Sequence, residues 1–359
     1  MTLLILLSQT YNLQSIKLRS MNSAIKKELS TYFEIMLNQR ASRVKVSSRI
    51  EAGESENINA LWREHERIRS EFQEIFNKKS FDFKKPDFSY FDLKIKIAEK
   101  IFENCYLCEM KCHINRTTEK GFCNVKNPKI SSEFMHMGEE ALLIPSHTIF
   151  FTGCNFECIY CQNFDISQFP GAGIEISEVH LAKIIDKRRK EGSRNVNFVG
   201  GDPTPNLLYI LKTMKLCNEN IPLIWNSNFY MSEDAMKLLD GFADLFLSDF
   251  KYGSEGCAKK LSKIPNYWNT VTRNHKMAKK SGDIIIRHLV LPGHIKCCSK
   301  PILKWISENL GKETVVNIMG QYRPVYKSYE STEITRYPSH QELEEVVNYA
   351  KSLGLINLI

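Results

Sequence analysis

No apolar stretch among the 359 residues approaches the roughly 20 needed to cross a bilayer, so no membrane span is expected. Leu3-Leu4-Ile5-Leu6-Leu7 is apolar but too short for a secretory h-region. No basic residue precedes it and no small-residue cleavage site follows, so the chain is expected to stay in the cytoplasm. Internal repeats and low-complexity tracts are also missing. At 43% hydrophobic and 25% charged the composition is that of a globular protein, long enough for one large catalytic domain with an extension. A disulfide framework is excluded by clustering: seven of the eleven cysteines fall into two ligand-like groups, which points to metal chemistry in a reducing compartment and to harm by oxygen.

A strong charge bias is missing too, the net charge being +8. Much of the excess lies near the start, where Lys17, Arg19, Lys26, Lys27, Arg40, Arg43, Lys45 and Arg49 face only Glu28 and Glu34. No nucleic-acid-binding motif accompanies these cations, so they read as a solvated basic arm or helix face rather than a nucleic-acid site.

Residues 1 to about 50 carry weak patterning and are expected to be partly disordered. Ile58, Leu61, His65, Ile68, Phe72 and Ile75 recur at helical spacing and predict a helix that packs against the same chain. A linker with Pro86 then leads into a helix carrying Leu93, Ile97 and Ile101. From residue 147 onward, short β-rich runs at 147–152, 195–199, 222–226, 243–248, 284–290 and 314–319 alternate with helices. Their starts are marked by Ser177, Thr204-Pro205, Ser232, Ser299 with Pro301, and a Ser339/Glu342 capping box. Six such repeats predict an α/β fold, a partial (β/α)6 TIM-like barrel of parallel strands, with its active site at their carboxyl ends. The expected division is a helical, partly disordered extension (1–90), a Cys-rich metal-binding segment (91–140) and the partial barrel (141–359).

The most informative absence is a fourth cysteine beside Cys154-x3-Cys158-x2-Cys161, which follows the first predicted barrel strand. Three thiolates hold three corners of an iron–sulfur cube and leave one iron open to an external ligand, whereas an electron carrier would complete its set. A zinc site or plain buried cysteines are the bland readings. The spacing, within Phe150-Phe151-Thr152-Gly153-Cys154-Asn155-Phe156-Glu157-Cys158-Ile159-Tyr160-Cys161-Gln162-Asn163, resembles the cluster loop of radical S-adenosylmethionine (radical SAM) enzymes, and more closely that of glycyl-radical-enzyme activases. Gly200-Gly201-Asp202-Pro203, after the second barrel strand, resembles the Gly-Gly-Glu segment with which those enzymes hold the cofactor's methionyl amine; here Asp replaces Glu and is one methylene shorter. The resemblance further implies that Asn226, Ser227, Asp249, Lys251, His288 and Gln321, at later strand ends, contact the carboxylate, ribose and adenine, with Tyr160 packed on adenine. From the residues alone, Asp249–Lys251 also reads as a structural ion pair and His288 as a satisfied core histidine.

Cys105-x2-Cys108-x3-Cys112-x10-Cys123 supplies four soft ligands, suited to zinc or a second iron–sulfur cluster in a closed site that serves stability or electron delivery. Cys217, Cys257, Cys297 and Cys298 read as structural. Together with His136-Met137-Gly138-Glu139-Glu140 and Met319-Gly320-Gln321-Tyr322, this segment resembles the pyruvate formate-lyase activating enzyme-related (PflX-like) radical SAM proteins over about residues 90 to 354. That resemblance implies one [4Fe-4S] cluster, S-adenosylmethionine, an electron donor such as flavodoxin or ferredoxin, and a deoxyadenosyl radical that abstracts hydrogen. A glycyl radical enzyme is the implied protein substrate, with another protein, RNA or a small molecule as alternatives. The competing classes are a non-catalytic iron–sulfur carrier or redox sensor and a zinc-dependent nucleic-acid-binding module.

Overall fold

The computed structural model describes residues 23–79 and 84–359. Seven strands form one sheet in chain order: β1 (Ile130–His136), β2 (Ser146–Phe151), β3 (Asn195–Gly200), β4 (Leu223–Ser227), β5 (Leu245–Asp249), β6 (Asp283–Leu289) and β7 (Val315–Met319). β2 through β7 are parallel, β1 runs antiparallel to β2, and the sheet does not close. All six expected parallel strands are present. β1 is an addition that the sequence did not reveal: only Ile130 in it is buried, so its hydrophobic pattern is faint. β4, by contrast, is buried at every residue, as a strand covered on both faces must be.

The described residues before β1 hold α1 (Ser23–Glu28), α2 (Ser30–Met36), α3 (Arg43–Ser47), α4 (Ile58–Asn77) and α5 (Tyr90–Glu103). After β2 come α6 (Phe164–Ser167) and α7 (Glu178–Lys190); then α8 (Leu207–Leu216), α9 (Glu233–Leu239), α10 (Glu255–Ser262), α11 (Tyr267–Ser281), α12 (Lys300–Asn309) and α13 (His340–Ser352). Ser177 and Ser232 cap α7 and α9 by accepting from His180 N and Ala235 N, and the Ser339/Glu342 capping box opens α13. Two expected starts differ. Thr204-Pro205 lies in a 3₁₀ turn ahead of α8, and Ser299 makes no cap because a π-turn, Ile295–Ser299, runs straight into α12.

The expectation of a partly disordered start is corrected for residues 23–50; residues 1–22, with Lys17 and Arg19, lie outside the described residues. Ile25, Leu29, Tyr32, Phe33 and Met36 form one core with Ile224, Leu245, Leu247, Ile285 and Val315, which plugs the amino-terminal end of the partial barrel. Backbone amides secure the plug: Tyr32 N donates to Asp283 Oδ2 at 2.7 Å and Arg43 N to Asp244 Oδ1 at 2.9 Å. The solvated-arm reading also fails for three cations. Arg43 is buried over the Phe76 ring, Arg40 pairs with Glu34 at 2.8 Å, and Lys45 donates to the Cys217 and Asn218 carbonyls. α4 packs its Leu61, His65, Ile68, Phe72 and Phe76 stripe within the chain, as expected, with Phe72 and His65 against Tyr90 of α5. Among the described residues no helix is long and apolar enough to cross a membrane.

Candidate active site

With its amino-terminal end plugged, the partial barrel keeps its space at the carboxyl ends of the strands. A cavity of about 510 Å³ opens there, lined by residues from the carboxyl-terminal parts of β1 to β7 and from several of the loops that follow them. Its wall includes Cys154, Cys158 and Cys161 together with nine of the ten residues expected to contact a cofactor: Tyr160, Gly200, Gly201, Asp202, Asn226, Ser227, Asp249, Lys251 and Gln321.

His288 is the exception and is corrected. It is fully buried outside the cavity wall, with Nδ1 2.9 Å from the Phe250 carbonyl and Nε2 2.8 Å from the Ser299 hydroxyl. Alternation along β6 explains this. Arg287 and Leu289 line the cavity, so His288 between them points the other way.

The cysteine loop is fixed by close backbone approach. Gly153 has φ +83°, and a Cβ there would meet Val125 Cγ2 at 2.1 Å and the Cys123 carbonyl at 2.8 Å, so this loop sits directly on the end of the upstream cysteine segment. Gly201 N donates to the Phe151 carbonyl at 2.9 Å and Asp202 N to the Gly153 carbonyl at 3.0 Å, which locks the Gly-Gly segment behind the loop. The thiols have partners: Ser262 Oγ lies 3.0 Å from Cys158 Sγ, Ser167 Oγ 3.1 Å from Cys161 Sγ, and Phe156 N donates to Cys154 Sγ at 3.4 Å. Burial pushes the Cys158 thiol up to about 11, against the lowering pull of Lys251, and raises Cys154 well above a normal thiol. Such groups stay protonated until a cation binds and displaces the proton.

Asp202 settles what the shorter side chain does in this fold. Its Oδ1 accepts from Thr204 N and its Oδ2 from Asn228 N, each at 2.9 Å. Burial pushes it up to about 6 despite these bonds. The carboxylate therefore ties the turn after β3 to the loop after β4, where Asn228 Nδ2 donates to Asn155 Oδ1 at 2.6 Å, next to Cys154. Asn226 Nδ2 is buried without a partner on the cavity wall, a free donor. Asp249 and Lys251 pair at 2.6 Å, and the Tyr160 hydroxyl bonds that of Tyr252 at 2.6 Å.

A charged floor was not recognised from the sequence. Arg287 donates from Nε and Nη2 to both Glu140 oxygens at 2.7 Å, pairs with Glu139, and reaches Asn226 Oδ1 at 3.4 Å, while Asn317 Nδ2 donates to Glu140 at 2.9 Å. Consecutive glutamates before a strand and an arginine inside a later one were the available signal, but only the sheet brings them together.

Cys105, Cys108, Cys112 and Cys123 share a small pocket with Arg116, Thr204 and Pro205, behind the Gly-Gly-Asp-Pro turn. Of the cysteines read as structural, Cys217 is buried in the core, its Sγ 3.6 Å from the Thr213 carbonyl. Cys257, Cys297 and Cys298 instead gather with His294, which the sequence reading missed because 37 residues separate Cys257 from His294.

The main site fits the groups its motif implies. Three thiols offer an incomplete donor set, an unpartnered amide faces the cavity, and the Gly-Gly cradle leaves no room for a side chain: a Cβ on Gly201 would meet the Gly153 carbonyl oxygen at 2.0 Å. Gly201→Ala is therefore expected to destabilise the protein by about 1–3 kcal/mol, because the clash is with backbone. It should also weaken S-adenosylmethionine binding. Calorimetric melting and ligand titration check this, and wild-type values in both would show that the cradle is not tight.

A family model described as Radical SAM superfamily matches residues 148–306. The chain is 43% identical over 337 residues to the uncharacterized protein MJ0674 of Methanocaldococcus jannaschii, covering 91% of this chain and 98% of that protein. Among solved structures, methylornithine synthase (PylB) is similar at 11% identity and TM-score 0.43, covering 91% of this chain and 84% of that one. Streptococcus suis SuiB bound to S-adenosylmethionine is similar at 14% identity and TM-score 0.41 over 57% of this chain; the match spans 47% of SuiB.

Proposed function

The chain belongs to the radical SAM superfamily through the domain at residues 148–306, and on that premise we propose that it binds S-adenosylmethionine at the cavity and acts on a partner polypeptide, with a glycyl radical enzyme as the protein substrate. The observation that carries the cofactor reading is one cavity wall shared by an incomplete cysteine triad, a Gly-Gly cradle and the polar ends of the parallel strands. When bound, a [4Fe-4S] cluster and S-adenosylmethionine supply one-electron cleavage of a carbon–sulfur bond and a carbon radical able to abstract hydrogen.

The chain's own groups then have definable tasks. Cys154, Cys158 and Cys161 would hold the cluster, and Ser262 and Ser167 would donate hydrogen bonds that stabilise the charge on two of the sulfurs. The backbone of Gly200 and Gly201 would receive the methionyl amine, Asn226 Nδ2 would donate to an acceptor on the cofactor, and Tyr160 would flank the adenine. Lys251 and Asp249 would balance charge where the cofactor's ribose and carboxylate lie. Cys105, Cys108, Cys112 and Cys123 would hold zinc or an auxiliary cluster that buttresses the Gly-Gly-Asp-Pro turn. The electron would come from a carrier such as flavodoxin or ferredoxin.

A polypeptide substrate is supported by the resemblance of the cysteine loop to activases. It is supported also by Phe164, Phe169 and Tyr326, an aromatic group beside the cavity-lining Asn163, with Phe169 58% exposed. The test has two stages. Anaerobic protein reconstituted with iron and sulfide, then given dithionite and S-adenosylmethionine, should release methionine and deoxyadenosine; no cleavage would return the chain to electron transfer. Addition of a glycyl radical enzyme from the same genome should then produce a protein-bound carbon radical visible by EPR, and cleavage without that signal would sink the activase assignment alone.

A further inference from the structure

We propose that Cys257, His294, Cys297 and Cys298 form a zinc site, separate from the cavity and from the upstream four-cysteine group. Their ligand atoms all lie within 4.8 Å of one another. Cys257 Sγ is 3.6 Å from Cys297 Sγ and 3.5 Å from His294 Nδ1, and Cys297 Sγ is 3.3 Å from the same nitrogen. A tetrahedral zinc ion with Zn–S of about 2.3 Å and Zn–N of about 2.0 Å requires edges of about 3.8 Å between sulfurs and about 3.5 Å between sulfur and nitrogen. The three edges among Cys257, His294 and Cys297 are therefore close to those of a single-ion tetrahedron, and Cys298 Sγ lies within 4.8 Å of all three ligand atoms. An iron–sulfur cube would hold its thiolates much farther apart, because its irons and sulfides lie between them.

The surroundings suit such an ion. The π-turn Ile295–Ser299 lets the adjacent Cys297 and Cys298 both reach the group, an arrangement frequent at functional positions. The second nitrogen of His294, Nε2, is buried without a hydrogen-bond partner, and Glu333 Oε2 lies 3.5 Å away, a carboxylate placed to orient a zinc-bound imidazole. Cys257 and Cys297 are partly exposed, which gives the ion a way in.

The site would staple two strand-end loops beside the cavity. A Cβ on Gly253 would meet the carbonyl oxygens of Cys297 and Cys298, both at 2.7 Å, so the loop after β5 lies flat on the π-turn. α10 then spans from Cys257 in its first turn to Ser262 at its end, where the hydroxyl meets Cys158 Sγ. Leu261 and Ser262 carbonyls also accept from Ile159 N and Glu157 N of the cysteine loop. One short helix thus joins the zinc site to the catalytic triad.

Zinc content per chain and zinc K-edge absorption of the anaerobically purified full chain test the assignment. Cys257→Ser with Cys297→Ser should lose one equivalent of zinc relative to wild type while keeping the iron of the triad. Should that variant fail to fold, the wild-type chain still decides: in zinc-loaded native protein Cys257 and Cys297 should resist alkylation and become reactive after a chelator is added. An unchanged zinc count in the folded variant, alkylation of both thiols at the free rate despite zinc, or a Cys257–Cys297 disulfide in their place would overturn the proposal.

Discussion

Anaerobic Cys158→Ala protein is expected to release deoxyadenosine no faster than a protein-free control and to lose the EPR signal of a reduced cluster. The thiol is buried and receives the Ser262 hydroxyl. Its removal leaves two thiols, too few to hold a cube with one defined open corner. No other described cysteine lines the cavity. Cys217 is held against the Thr213 carbonyl, and the upstream four share a pocket on the far side of the Gly-Gly-Asp-Pro turn. The fold itself should lose only about 1 kcal/mol, since a single buried heavy atom is removed, so melting temperature separates a lost cluster from a lost structure. Wild-type cleavage by a well-folded variant would show that the triad is not the catalytic ligand set.

Arg287→Ala should produce the largest change in stability, about 3–5 kcal/mol, because it strands a buried carboxylate. Burial alone would raise the pKa of Glu140, but hydrogen bonds and charge from Arg287 hold it below the ordinary carboxylate value. Without Arg287 only the Asn317 amide and a backbone hydrogen bond oppose the burial effect, and the folded-state pKa is expected to move above the unfolded one. The native state then binds more protons than the unfolded state, so stability falls as pH rises through that interval. The deficit relative to wild type should thus be larger at pH 8 than at pH 5, measured by denaturant titration at both. Arg287→Lys keeps the charge but not the two-pronged bond to Glu140, and should recover only part of the loss. A deficit independent of pH would mean that the Asn317 amide is enough to keep Glu140 ionised without Arg287.

Much of the site was legible because its chemistry is local. Cys154, Cys158 and Cys161 occupy one loop, Gly200 to Pro203 another, and an apolar strand ending in polar residues shows its active end directly. The charged floor was not legible, since Arg287 is 147 residues from Glu140 and 148 from Glu139 and meets them only across the sheet. His288 was misplaced for a related reason. A strand end names its residues but not their facing, and a shift of one position exchanges cavity for core.

The sequence by itself determined the parallel strands, the cysteine triad and the radical SAM domain, since short β-rich runs and ligand spacing are properties of neighbouring residues. Tertiary structure alone decided that the described start, from residue 23 on, is a plug, because Leu29 and Tyr32 find their apolar surface on strands some 200 residues away. It alone decided that Cys257 meets His294, Cys297 and Cys298, because two loops that share no sequence signal are folded over the same strand ends.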